Sequence, residues 1–134
     1  MLSVNIKNLS YSISDNKILN KINLELEKDK IACILGPSGC GKTTLLKLIA
    51  GLSQVQDGEI FLNDELVSSN NFHLKTEKRK IGFLFQDYAL FPHLTVRENL
   101  NFATKNNNKI KNDIDEVIKI VKLTSSLNRY PHEL

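Results

Sequence analysis

The sequence is poor in the features that would put it inside a membrane, outside the cell or on nucleic acid. No run reaches the roughly 18 apolar residues needed to cross a bilayer, so any membrane connection has to be made through a partner. Met1-Leu2-Ser3-Val4-Asn5-Ile6-Lys7 lacks the apolar stretch of a signal peptide. There are only two cysteines, Cys33 in an apolar run and Cys40 in a glycine-rich loop. Pairing them would distort that loop, which argues against a disulfide framework and for a reducing compartment. Neither sign of charge dominates: 18 basic against 15 acidic residues leave a net +3. The basic residues are scattered except in Lys75-Thr76-Glu77-Lys78-Arg79-Lys80, which reads as a solvated face ahead of a strand rather than a contact for nucleic acid or anionic lipid. No basic stripe is interleaved with aromatics, so nucleic acid is not an expected partner. No internal repeat is present, and 134 residues suffice for one core rather than two.

What is present is concentrated in Gly36-Pro37-Ser38-Gly39-Cys40-Gly41-Lys42-Thr43. The run fits G-x-x-x-x-G-K-[ST], the phosphate-binding P-loop. The apolar run Ile31-Ala32-Cys33-Ile34-Leu35 before it reads as a fully buried strand, and Thr44-Leu45-Leu46-Lys47-Leu48-Ile49-Ala50 after it reads as a helix closed by Gly51. Strand, glycine-rich loop and helix are the context in which the motif works. Glycines let successive N–H groups turn inward, and the helix N-terminus adds partial positive charge. Lys42 then reaches the β- and γ-phosphates, and the Thr43 hydroxyl offers a ligand to Mg²⁺. The alternative is an ordinary strand–turn–helix with a glycine-rich turn.

The rest of the chain reads as β-rich first and helical later. Leu2, Val4 and Ile6 alternate in a first strand; Ile18, Ile22, Leu24 and Leu26 mark a half-buried antiparallel one, with a turn at Asp15-Asn16-Lys17. Asp57-Gly58 and Asn63-Asp64 bracket a strand at Glu59-Ile60-Phe61-Leu62, with Leu66-Val67 continuing and Ser68-Ser69-Asn70-Asn71 as loop. Ile81-Gly82-Phe83-Leu84-Phe85 reads as a second buried strand delivering Gln86 at its end. Thr95-Val96-Arg97-Glu98 fits a capping box opening a helix that carries Val96, Leu100 and Phe102. After a polar loop at Lys105-Asn106-Asn107-Asn108-Lys109, Ile110, Ile114, Val117, Ile118 and Val121 form the stripe of an amphipathic helix.

In this order the motifs resemble the first half of an ABC transporter ATPase, over essentially the whole chain. Tyr11 stands where that family places the aromatic that stacks on adenine. Gly36 to Leu46 resembles the family's P-loop in its variable positions too, and Gly58-Glu59-Ile60 resembles the turn that follows. Ile81 to Val96 is similar to the Q-loop segment, with Gln86 as its glutamine, and Tyr130-Pro131-His132-Glu133-Leu134 resembles the residues just before the LSGGQ signature.

The resemblance implies an α/β fold: a P-loop NTPase core with an N-terminal antiparallel β subdomain (1–93) and the start of a helical subdomain (94–134), incomplete as given. It implies ATP and Mg²⁺ as ligands. Tyr11, Gly36, Pro37, Ser38, Gly39, Cys40, Gly41, Lys42, Thr43 and Thr44 would bind nucleotide, Lys42 and Gln86 would be catalytic, and Thr43 and Gln86 would hold Mg²⁺. Tyr11 can equally be a strand-end tyrosine packed on the sheet, and Gln86 a loop glutamine bonded to backbone. His93 and His132 lie in docking and spacing segments and are not read as catalytic. The partners implied are permease subunits, a second ATP-binding subunit and, indirectly, a substrate-binding protein, at the cytoplasmic face of the membrane. Phe91, Pro92 and Leu94 would receive a permease helix. Importers of ferric iron come first in the likeness, then those of polyamines, molybdate, sulfate and sugars. The sequence stops at Leu134, before the signature, the Walker B aspartate and the catalytic glutamate, so these residues alone are not expected to hydrolyse ATP. A non-catalytic ATP-binding or regulatory piece and a non-transport P-loop ATPase are the rival readings.

Overall fold

Alternating apolar residues at the N-terminal end build an antiparallel sheet. In this computed structural model, which describes residues 2–104 and 108–134 with the side chains of 103–113 excepted, β1 (Leu2–Ile13) and β2 (Asn16–Glu27) form one long hairpin. β3 (Asp57–Leu62) and β4 (Glu65–Ser69) form a second, and the four strands run in the order β2-β1-β3-β4. The β3–β4 turn is Asn63-Asp64, both with positive φ (50° and 65°), a geometry that matches the strands' right-handed twist. β4 takes in Ser68 and Ser69, which the sequence placed in the following loop.

Strict alternation in β1 would send Ile6 and Leu9 to opposite faces. A bulge resolves this: Asn8 adopts φ 50°, its N–H donates to Asn23 Oδ1 at 2.9 Å, and the register with β2 shifts between Ile6 and Leu9. Both residues are thereby buried, at 1% and 0% exposure. They join Leu19, Val55, Ile60, Leu62 and Val67 in one cluster, to which α1 (Lys42–Ala50) contributes Leu45 and Leu48. Each such side chain contributes about 1.5–3 kcal/mol by burial, so α1 is held mainly by packing rather than by propensity.

The C-terminus of α1 is closed by Gly51 in the left-handed conformation, its N–H bonded to Leu48 O and that of Leu52 to Lys47 O. Arg79 completes this end. Its Nε donates to Leu74 O (2.8 Å), Nη1 to Leu48 O and Ile49 O (3.1 and 2.8 Å), and Nη2 to Val67 O and Ser68 Oγ (3.2 and 2.7 Å). All five donors are engaged, with His73 Nδ1 a further partner of Nη2 at 3.4 Å, and burial pushes the guanidinium pKa below its ordinary value. The basic run was expected to be a solvated face. Lys75, Lys78 and Lys80 are exposed, but Arg79 is buried, because only a guanidinium can span a helix end and a strand at once.

Two expected strands do not form. Ile31–Leu35 and Ile81–Phe85 are extended chain outside any strand, with Ile31 fully exposed and Leu35 and Leu84 85% and 78% exposed; within the first segment Ile34 still packs on the core. A run apolar on both faces needs sheet neighbours on both sides and cover above and below. The sheet formed by the described residues is antiparallel, and α1 packs on its apolar core instead. The architecture is α/β, with an antiparallel β portion and the beginnings of a helical one.

The chain divides into two units, Met1–Phe83 and Leu84–Leu134. In the second, α2 (Val96–Thr104) and α3 (Asn108–Ile120) enclose Val96, Ile118 and Leu127, with Leu100, Ile114 and Leu123 around them. The expected capping box is present: Thr95 N–H donates to Glu98 Oε2 at 2.8 Å, and Glu98 N–H donates to Thr95 Oγ1 at 3.3 Å. Phe102, expected on the buried face, is instead exposed and packs edge-on against Phe91 at 4.6 Å. Of the polar loop expected at 105–109, residues 105–107 lie outside the described residues and Asn108 and Lys109 are helical. The apolar stripe of α3 is narrower than expected: Ile114 and Ile118 pack, Val117 and Val121 are half exposed, and the Ile110 side chain lies outside those described. Among the described residues, the stripe packs against α2 and the 123–127 segment.

Candidate nucleotide-binding site

The loop between the exposed segment 31–35 and α1 is shaped by its glycines. Gly36, Gly39 and Gly41 have φ of 156°, 82° and 96°, and Gly41 is the residue from which α1 springs. At Gly41 a Cβ would come to 3.0 Å from Ile18 Cγ2 and Leu19 Cδ2, so the loop lies close against β2, and the φ of 96° is what favours glycine there. α1 starts with no side-chain cap and no acidic residue in its first turn, and its first backbone bond is Leu45 N–H to Gly41 O at 2.8 Å. No side chain therefore caps the N–H groups of its first turn, the arrangement from which helix N-termini bind anions.

Lys42 turns back over the loop. Its Nζ donates to Gly36 O at 2.8 Å and Pro37 O at 2.6 Å, with Cys40 Sγ at 3.6 Å. The ammonium is therefore held inside the ring of the loop, opposed by neutral carbonyls that a phosphate oxygen can outcompete. Thr43 is exposed and Thr44 partly so, with Ser38 and Cys40 exposed at the loop tip. An open cleft of about 380 Å³ beside the loop is lined by Leu19, Leu24, Cys33, Leu35, Cys40 and Lys42.

Tyr11 lies in the same unit. It is paired across the β1–β2 ladder with Leu19, the residue that packs beneath Gly41, and its partly exposed ring rests on the core cluster. Gln86 belongs to the second unit, where it is exposed and opens a turn over residues 86–89 rather than ending a strand. His93 lies edge-on to Phe91 at 6.1 Å and His132 stacks on Tyr130 at 5.7 Å, both in packing rather than catalytic arrangements. Among the described residues no group of three or more His, Cys, Asp or Glu is placed to hold a metal.

Sequence reasoning missed three residues. Arg79 was hidden in a basic run. Gln56 sits in a loop, yet its side-chain amide bonds both ways with the Ser12 backbone. Asn99 holds the segment before α2, its Nδ2 donating to Phe91 O, Leu94 O and Thr95 O and its Oδ1 accepting from Phe91 N–H. A short amide in the middle of a helix, where propensity disfavours it, was the one available signal.

Glycine cradle, inward lysine and uncapped helix define a P-loop nucleotide-binding protein. The ABC transporter family profile matches residues 19–134, and the chain belongs to that family. It is 37% identical over 133 residues to a Haemophilus influenzae protein named Fe(3+) ions import ATP-binding protein FbpC 2, covering 96% of this chain and 37% of the relative. It is 41% identical over 138 residues to the spermidine/putrescine import ATP-binding protein PotA of Chromobacterium violaceum, covering 100% and 37%. A Synechocystis sulfate/thiosulfate import ATP-binding protein CysA is 40% identical over 137 residues, covering 99% and 38%. The chain thus spans little more than a third of these relatives. The ATP-binding cassette MJ0796, solved as a dimer in a post-hydrolysis state with ADP and Pi, superposes with a TM-score of 0.78 at 28% identity, over 98% of this chain and 62% of that one.

Proposed function

We propose that this chain binds Mg²⁺-ATP and belongs to a subunit that couples ATP hydrolysis to solute import. One observation carries the reading: Lys42 is held inside a glycine-built loop beside an uncapped helix N-terminus. The phosphates would be gripped by Lys42 and the backbone N–H groups of residues 38–44, and the base would lie on Tyr11. Thr43 would supply an oxygen to Mg²⁺, which neutralises phosphate charge and orients the terminal phosphoryl group when bound. Lys42 would stabilise charge that builds on the phosphate oxygens during transfer.

The relatives' names, import ATP-binding proteins, support a transport setting, and the dimeric cassette MJ0796 supports a second ATP-binding subunit. The rest of the reading is docking on a permease at the cytoplasmic face of the membrane, with a substrate-binding protein engaged indirectly. Among the described residues no helix is long and apolar enough to cross a membrane. Phe91, Pro92 and Leu94, held to α2 by Asn99, offer the docking surface. Ferric iron is not separated from other solutes, since the relative named for iron is no more similar (37%) than those named for sulfate (40%) or polyamine (41%).

The test uses the full chain. Lys42→Ala is expected to weaken ATP binding about 10-fold or more, because a charged partner of the phosphates is lost. Unchanged affinity would sink the assignment.

A further inference from the structure

We propose that Gln56 is a positioning residue for Tyr11, clamping the end of β1 so that the aromatic ring is presented to a nucleotide base. The proposal rests on the reading of Tyr11 as the base-stacking residue.

The pairing of β1 with β3 ends at Ser10 opposite Asp57. Beyond it, the edge of β1 that β3 covered has no further strand residue to meet. On its other side β1 remains paired with β2, but there the register breaks twice, between Leu9 and Tyr11 and again between Tyr11 and Ser12. Tyr11 therefore sits where one ladder has stopped and the other is irregular, the place where a strand end frays.

Gln56, the residue just before β3, closes this gap with its side chain. Ser12 N–H donates to Gln56 Oε1 at 2.7 Å, and Gln56 Nε2 donates to Ser12 O at 3.0 Å. One primary amide thus reproduces the donor–acceptor pair that a strand residue would have offered, and so extends the β3 side of the ladder past Asp57. The bond spans 44 positions in sequence, so it ties the end of β1 to the segment that follows α1. A stacking platform binds well only if its ring is held before the base arrives, since ordering it on binding subtracts from affinity. Glutamine suits the task because it supplies both a donor and an acceptor at the required reach. Glutamate keeps only the acceptor, and alanine neither.

The experiment compares Mg²⁺-ATP with Mg²⁺-tripolyphosphate by calorimetry on the full chain, for the unsubstituted protein, Gln56→Ala, Gln56→Glu, Tyr11→Ala and the Gln56→Ala/Tyr11→Ala pair. Tripolyphosphate engages the P-loop but has no base. Gln56→Ala is expected to weaken ATP about 5–10-fold, at the low end of the range that base stacking spans. It should leave tripolyphosphate unchanged within about twofold, with Gln56→Glu intermediate. The double variant should be no weaker than Tyr11→Ala alone, because both changes remove one interaction. Hydrogen exchange at the Ser12 amide should accelerate in Gln56→Ala while the melting temperature holds. Equal loss of both ligands, loss of neither, or additive effects in the double variant would overturn the proposal. If Tyr11→Ala itself leaves ATP affinity intact, the base-stacking reading fails and takes this inference with it. If the unsubstituted protein binds neither ligand, the P-loop reading is what has failed.

Discussion

Replacing Arg79 by methionine should be among the most damaging single changes in the first unit. Methionine fills much of the same unbranched volume, so little cavity is created and the loss isolates the guanidinium. Five oxygen acceptors lose their donors, Leu48 O, Ile49 O, Val67 O, Leu74 O and Ser68 Oγ, and His73 Nδ1 loses a longer contact. Three of these bonds, to Leu48 O, Val67 O and Ser68 Oγ, are buried. A buried acceptor left unpaired costs about 1–3 kcal/mol, and the partly buried ones recover much of their loss from water. Part of the total is offset because a desolvated cation is no longer buried, and no carboxylate is among its hydrogen-bond partners to be orphaned. The remaining compensation it gave, to the negative end of α1, is worth up to about 2 kcal/mol. The net loss is therefore about 3–5 kcal/mol, a large share of the roughly 5–15 kcal/mol of a typical domain. Arg79→Lys keeps the charge but offers its donors from one atom, which cannot reach both the helix end and β4, and should recover less than half. Urea unfolding of the full chain, followed by far-ultraviolet circular dichroism, reads both variants. A shift below about 0.5 kcal/mol for methionine, or full recovery by lysine, would show that the buried fork is not what joins α1 to the sheet.

Two further changes probe other parts of the scaffold. Gly58→Ala places a Cβ 2.6 Å from Lys7 O and 2.7 Å from both Asn8 O and Leu9 Cα, at φ 95°, so it should separate β1 from β3 and lower stability by about 2–4 kcal/mol; a melting temperature within about a degree of the parent would refute the register drawn here. The Thr95 backbone N–H first, and its hydroxyl second, hold the Glu98 carboxyl below its ordinary value of 4.5. A depressed folded pKa means that the cap is intact above the ordinary value and lost as pH falls through the lower, folded one. The Thr95 amide resonance should therefore titrate with a midpoint below 4.5, and not at all in Glu98→Gln; a midpoint at or above 4.5 would contradict the cap.

The P-loop was legible because its chemistry is written in backbone. Gly36, Gly39, Gly41 and Lys42 act through φ angles and one short-range cation, all within a handful of positions, so spacing alone specifies the shape. The antiparallel hairpins were legible for a related reason, since period-two alternation and turn residues are local signals. The same logic gave too simple an answer for Ile31–Leu35 and Ile81–Phe85. An apolar run states that a segment wants burial on both faces, but whether it becomes a strand depends on neighbours that periodicity does not name.

Arg79, Gln56 and Asn99 were illegible for the opposite reason. Each is a polar side chain that substitutes for missing backbone partners: the guanidinium at a helix end, one amide beside a strand that outruns its ladder, the other against the segment leading into α2. Nothing in the residue type distinguishes such a role from surface solvation, because the acceptors it serves lie at positions set by the fold. In sequence, Arg79 is one basic residue in a basic run and Gln56 one polar residue in a loop. The P-loop motif therefore locates the chemistry, but the side chains that hold its helix and the β1 edge in place are found only by asking where each backbone N–H and C=O finds its partner. That accounting singles out Gln56. If Tyr11 is the base-stacking residue proposed above, the same accounting joins to it the amide that extends its strand.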